Sequence, residues 1–230
     1  MGKLERSIEL LKETASKHDA VSVGLSGGKD SLVTLALCLR YFKRVEPFFM
    51  QLVPGIEFER QMLESALSQF PGLKLTVVTH WALRWHLENG IFCRATRRLP
   101  PELTQGELWQ VARAKTKCPI TAVGYKRSDD PARRKEMIRT KHMTDRIYPI
   151  AEWSNRDVVE FCEANSIVIP DTGNQVGFGI DTNPARVCWL YDNHPGDFER
   201  LAEWFPFIRA SVARRRIYGE TRKVRTYKAG

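Results

Sequence analysis

The 230-residue chain contains no C-x-x-C pair. Its five cysteines (Cys38, Cys93, Cys118, Cys162 and Cys188) are odd in number and widely spaced. That argues against a disulfide framework and against a structural zinc site. No apolar run approaches the ~20 residues that a membrane-spanning helix needs. The opening Met1-Gly-Lys-Leu-Glu-Arg6 has no apolar segment behind its basic residue, and Arg6 stands where a myristoylation signal carries Ser or Thr. A cytoplasmic protein without a membrane partner is therefore expected. Internal repeats and low-complexity tracts are missing too. None of the five histidines has metal-ligand spacing, and His80, His86 and His194 receive no role beyond packing or surface. Acidic residues run out towards the end. From Arg209 onward only Glu220 faces Arg214, Arg215, Arg216, Arg222, Lys223, Arg225 and Lys228.

What is present is a basic globular composition. Apolar residues make up 43% of the chain and the formal net charge is +9. An excess of that size points to an anionic partner: a nucleotide, a nucleic acid, or both. The length suits one well-buried domain. Residues 4–17 read as an amphipathic helix with Leu4, Ile8, Leu11 and Ala15 on its apolar face. Strands are expected near 21–25, 46–53 and 73–79, with helices after the first two, which is the βαβαβ signature of a parallel sheet. Further strands are expected at 120–124 and 145–151, separated by a segment, 125–139, too polar and basic for a core. Helices are read near 81–88, at 107–115 and after Ser154, which opens a capping box completed by Asp157. Pro100-Pro101 interrupt the intervening stretch. The chain divides into an α/β domain over 1–166 and a C-terminal part over 167–230, made of a loop, a helix at 197–204 and a basic tail, packed on the same domain.

The stretch that organises the rest is Val21-Ser-Val-Gly-Leu-Ser26-Gly27-Gly28-Lys29-Asp30-Ser31. A buried strand runs through a glycine turn into a helix start, which makes an anion site. Glycines let backbone N–H groups approach a ligand, and the helix end adds partial positive charge. Lys29 adds a full charge, and Ser26 and Ser31 add hydroxyls. The P-loop pattern fails because Gly24 stands too close to Gly28 and Asp30 follows the lysine. The dinucleotide fingerprint G-x-G-x-x-G is not supplied either.

The string Ser26–Ser31 resembles instead the PP-loop of the adenine-nucleotide α-hydrolase superfamily. Its members include ATP pyrophosphatases and phosphoadenosine-phosphosulfate (PAPS) reductases. The resemblance implies a Rossmann-like α/β fold: a mostly parallel five-stranded sheet with helices on both faces and a short irregular C-terminal extension. Gly124-Tyr-Lys126-Arg127 and Arg133 are similar to the reductase segment whose cations contact the phosphate or sulfate groups of the nucleotide, with Lys126 where the family usually has Arg. Lysine is a point charge without the bidentate fork of arginine. Gly55 and Glu57, in Pro54-Gly-Ile-Glu-Phe58, resemble the turn that lies beside the nucleotide, without its threonine. The Pro149 to Val158 stretch matches a family segment read as architectural, with Trp153 packing and Ser154 capping.

The resemblance implies ATP or PAPS as ligand, with sulfonucleotide reduction or ATP pyrophosphatase (adenylylation) chemistry at its phosphate end. Asp30 would hold Mg²⁺ in the second case and needs no metal in the first. The reductase Glu-Cys-Gly-Leu-His motif is missing. Cys188, in Ala-Arg186-Val-Cys-Trp189, remains open as a nucleophile, a packing residue or a cluster ligand. An iron–sulfur site on Cys93, Cys118 and Cys188 is the weaker use of scattered thiols. Nucleic acid on the basic tail, a thiol reductant, a sulfur-donor protein and a second copy of the chain are the other partners considered. The rival reading is a non-catalytic, nucleotide-responsive DNA-binding or regulatory protein.

Overall fold

A computed structural model describes residues 2–95, 104–140, 144–170 and 181–219. The Pro100-Pro101 interruption and the basic residues from Arg222 onward lie outside these. Five strands form one all-parallel sheet in the order β3-β2-β1-β4-β5. They are β1 (Ala20–Gly24), β2 (Arg44–Gln51), β3 (Thr76–Thr79), β4 (Ile120–Ala122) and β5 (Arg146–Ile147). β1 lies at the centre because its sequence tolerates burial on both faces. Val21 and Val23 are sealed, and Ser22 satisfies its hydroxyl on Ile120 O (3.1 Å) and Thr121 Oγ1 (2.8 Å) of β4.

Helices cover both sides. On one face, α1 (Lys3–Ala15), α2 (Lys29–Leu39), α3 (Glu57–Ser68) and α7 (Asn155–Ala164) share the main core with Val23, Phe49 and Ile120. On the other, α5 (Gln105–Thr116) packs Leu108 and Trp109 against Phe48 and Val123. α4 (Ala82–Glu88) follows β3, and α6 (Pro131–Arg139) follows β4. No helix among the described residues is long and apolar enough to cross a membrane.

Two expectations need correction. The buried face of α1 is Ser7, Leu11 and Thr14, while Leu4 is exposed. Ser7 turns inward because its hydroxyl joins Pro149 O (2.5 Å) and Trp153 Nε1 (2.9 Å), a buried polar link that hydrophobic periodicity does not register. Nor is the C-terminal part an irregular extension. It forms α8 (Pro184–Asn193), α9 (Pro195–Trp204) and α10 (Arg209–Tyr218), so Arg214–Arg216 lie on a helix. Val187, Leu190, Phe198, Leu201, Phe205 and Val212 bury against Leu52, Val53 and Ile56 of the β2–α3 connection and Phe58 of the first turn of α3. The local signals were Pro184 and Pro195 at helix starts, with Asn183 capping Ala185 N at 3.0 Å.

Candidate functional site

The chain winds outward from β1 through β2 to β3, then returns to the other side of β1 for β4 and β5. This reversal opens a crevice at the carboxyl ends of β1 and β4, where open α/β sheets hold ligands. A cavity of about 510 Å³ occupies that position. The 26–31 loop leaving β1 lines it through Ser26, Gly28, Asp30 and Ser31, and the β4 side contributes Gly124, Tyr125 and Arg133. Helix α2 starts at Lys29, so its free N–H groups and positive dipole end lie at this loop.

Loop shape follows from its residues. Gly27 has φ +79°, the left-handed region that an L side chain adopts at a cost, and a Cβ there would meet Met62 at 3.1 Å. The buried Ser31 hydroxyl donates to Gly28 O (2.8 Å) and accepts from Ser26 N (3.2 Å), so it closes the loop from inside. At Gly124 a Cβ would stand 2.8 Å from Asp30 O and 3.0 Å from Thr34 Oγ1. Glycine there lets β4 approach the first turn of α2 closely.

Lys126 is the largest departure from expectation, because it belongs to the core. It is 0% exposed, and its ammonium lies 2.6 Å from Asp30 Oδ2 and 2.8 Å from Asp129 Oδ1. The charge therefore locks the 26–31 loop to the β4 connection. Asp129 passes the link onward to Arg133 Nη1 at 2.8 Å. Burial pushes the Asp129 carboxyl up, but its hydrogen bonds to Lys126 and Arg133 outweigh that and hold it below the usual range. The Arg133 guanidinium lies 4.6 Å over the Tyr125 ring, at the cavity wall. Lys29, partly exposed and 3.5 Å from Asp30 Oδ2, is the cation of the 26–31 loop itself.

Other expected positions are placed elsewhere. Arg127 is half-exposed and pairs with Glu152 at 2.8 Å. Gly55 makes a turn at φ +81° against Arg200. Glu57 binds Arg60, and neither Gly55 nor Glu57 lines the cavity. The N-terminus of α3 is already occupied: Asp197 of α9 accepts from Glu57 N (2.7 Å) and Phe58 N (2.8 Å).

All five cysteines are buried, and none lines the cavity. Cys93 and Cys188 lie in the C-terminal helical cluster, whereas Cys118 precedes β4 at the opposite end of the sheet. Cys188 Sγ donates to Ser211 O at 3.6 Å. Burial raises the thiols of Cys38, Cys93 and Cys118, and pushes Cys162 up to about 11. Among the described residues no three His, Cys, Asp or Glu side chains gather as a metal-ligand set. The thiols therefore do not fit an iron–sulfur cluster. Asp30 does not fit a resident magnesium ion either: Lys126 holds one oxygen, and the other is enclosed without a hydrogen-bond partner among the described residues.

Polar side chains from outside the expected motifs also line the cavity, among them His80 just after β3, His86 on α4, and Arg186 on α8, paired with Asp181 at 2.6 Å. Both histidines lack any ligand spacing in sequence. Only the parallel topology, which places every strand end on one rim, marks His80.

The family model of the phosphoadenosine phosphosulfate reductase domain matches residues 20–171. No curated protein matches the chain. Among solved structures, the chain is similar to an NH3-dependent NAD synthetase from Campylobacter jejuni, in complex with the nitrate ion. Identity is 13% over 96% of this chain and 97% of that one, with a TM-score of 0.47. It is also similar to the U34-tRNA thiolase NcsA from Methanococcus maripaludis with its 4Fe–4S cluster. There the identity is 17% over 90% of this chain and 80% of that one, with a TM-score of 0.43.

Proposed function

Because the chain belongs to the phosphoadenosine phosphosulfate reductase domain family, we propose that it binds an adenine nucleotide with the phosphates on the 26–31 loop. The chemistry we assign is nucleotidyl transfer from ATP rather than reduction of a sulfonucleotide. The observation that carries this choice is the placement of the thiols: five cysteines, all buried, none at the cavity. A reductase of this type attacks sulfur with a thiolate, which needs access and a lowered pKa. The phosphate end needs neither. Backbone N–H groups at the start of α2, with Lys29, hold the α- and β-phosphates and stabilise charge as it develops. Arg133, braced by Asp129 and Tyr125, supplies the second cation. An acceptor oxygen forms a bond to the α-phosphorus while the α–β bridging oxygen leaves with pyrophosphate. The acceptor's proton passes to solvent.

The test is incubation with ATP labelled at the α-phosphate plus Mg²⁺, and separately with PAPS and a thiol reductant. Pyrophosphate with label in AMP or an AMP adduct is expected. Sulfite from PAPS, or orthophosphate with ADP from ATP, contradicts the assignment. Nucleotide bound and recovered unchanged favours the regulatory reading.

A further inference from the structure

The cavity has a second end that the phosphate chemistry does not use. β3 lies two strands from β1, so at ~4.8 Å per strand its rim is about 10 Å from the loop. That separation suits a nucleotide lying across the strand ends, phosphates over β1 and β4 and base towards β3. The wall between is apolar, formed by Phe48, Met50 and Leu52, which suits a flat heteroaromatic ring. At its far side stands His80.

His80 is fixed in one chemical state by its surroundings. Its Nδ1 accepts the Ala82 N–H at 3.1 Å, and its ring stacks on Trp81 with centroids 5.6 Å apart. A neutral imidazole that accepts at Nδ1 carries its proton on Nε2. Among the described residues Nε2 has no hydrogen-bond partner. Burial, followed by the neighbouring His86, pulls the group down to about 4 against the opposing charge of Asp181. The other charged side chains lining the cavity are Asp30, Glu59, Arg133 and Arg186. His86 is not equivalent to His80, because both its nitrogens are engaged, on Ala82 O (2.6 Å) and Thr182 Oγ1 (3.2 Å).

We propose that His80 is the specificity residue for the nucleoside end of the ligand, its Nε2–H donating to a ring nitrogen of a purine. This rests on the nucleotide reading above. A neutral donor suits the task because it satisfies an uncharged lone pair without placing a cation against the ring, whereas an imidazolium would favour a carboxylate or phosphate instead.

The experiment is calorimetric titration of the full chain with ATP and, separately, with tripolyphosphate, for the native protein, His80→Leu and His80→Gln. Native protein should bind ATP more tightly than tripolyphosphate. His80→Leu should weaken ATP about tenfold, as expected for one lost hydrogen bond at a buried acceptor, and leave tripolyphosphate unchanged. His80→Gln, which restores an N–H donor, should recover most of the ATP affinity. Equal ATP affinity in native and Leu proteins overturns the proposal. So does a loss of tripolyphosphate binding in parallel, or a Gln variant as weak as Leu, since each marks a merely structural role. Failure of the native protein to bind either ligand would instead overturn the nucleotide reading itself, and the proposal with it. Nitrogen NMR of the labelled imidazole gives an independent readout: a proton on Nε2 at neutral pH supports the proposal, and one on Nδ1 overturns it.

Discussion

Lys126 carries its charge where no solvent reaches it, held between Asp30 and Asp129. Lys126→Met would leave Asp30 with only Lys29 at 3.5 Å and Asp129 with only Arg133 at 2.8 Å as counter-charges, at a cost of up to about 3 kcal/mol. Chemical denaturation should register that as a large drop in midpoint. Lys126→Arg keeps the charge but forces a larger group into a sealed site, so a loss of about 1–3 kcal/mol is expected. Gly124→Ala tests the adjoining contact. Its methyl would meet backbone 2.8 Å away, so α2 must shift, and ATP affinity should fall together with thermal stability. The sequence offered both residues as ligand contacts because charge and glycine are what a phosphate site displays. Neither the carboxylates that claim Lys126 nor the backbone that crowds Gly124 is near enough in sequence for spacing to reveal. The turn at Gly27 and the helix start at Lys29 were legible, since a strand, a turn and a helix start lie within one short stretch.

At the scale of elements, two helices are held by side chains whose loss can be measured. Ser154 accepts from Asp157 N, and Asp157 Oδ2 accepts in return from Ser154 N (2.5 Å) and takes Lys3 at 2.7 Å. Ser154→Ala should cost about 1 kcal/mol, read in the unfolding midpoint with nucleotide binding intact. This cap was plain in sequence because the capping box is local. The α3 cap was not. Asp197 reaches it from α9 across 140 residues, and its carboxylate takes the two N–H groups beside the turn that the family resemblance associates with nucleotide. Asp197→Ala should destabilise by about 1–2 kcal/mol and loosen the docking of α9. A stability loss without a fall in ATP affinity would show that this helix end serves packing. Of the three C-terminal helices, α9 answers to the helix expected at 197–204, whereas α8 and α10 have no counterpart in the sequence analysis, for a related reason. Their apolar residues bury against the β2–α3 connection, a partner more than a hundred residues away that no local pattern displays.

Over the whole molecule, parallel topology accounts for most of the architecture, and it was readable because alternating strands and helices with glycine turns permit few arrangements. Bringing the ends of β1, β3 and β4 to one rim is what places His80 in a cavity with Asp30, Ser31 and Arg133, and no local pattern carries that information. The fold also sets the acid response. His80 titrates near 4 in the folded chain and near 6.5 when unfolded, so folding favours its neutral form. Its contribution is complete above about pH 6.5. It is lost as pH falls towards 4, because the unfolded chain takes up a proton that the native state refuses. Below that window the lowered carboxyls of Asp129 and Asp157 add to the loss as they protonate. Stability measured between pH 7 and 4.5 should therefore fall less steeply in His80→Gln than in the native protein. A slope unchanged by the substitution would remove His80 from the acid response.

The central claim is that the loop between β1 and α2 holds the phosphates of an adenine nucleotide. Calorimetric titration with ATP of the native chain and of Lys29→Ala measures it directly. Saturable binding by the native chain and at least a tenfold loss in the variant, with the fold intact by circular dichroism, is the predicted result. Equal affinity in the two proteins would place the nucleotide elsewhere and contradict the account.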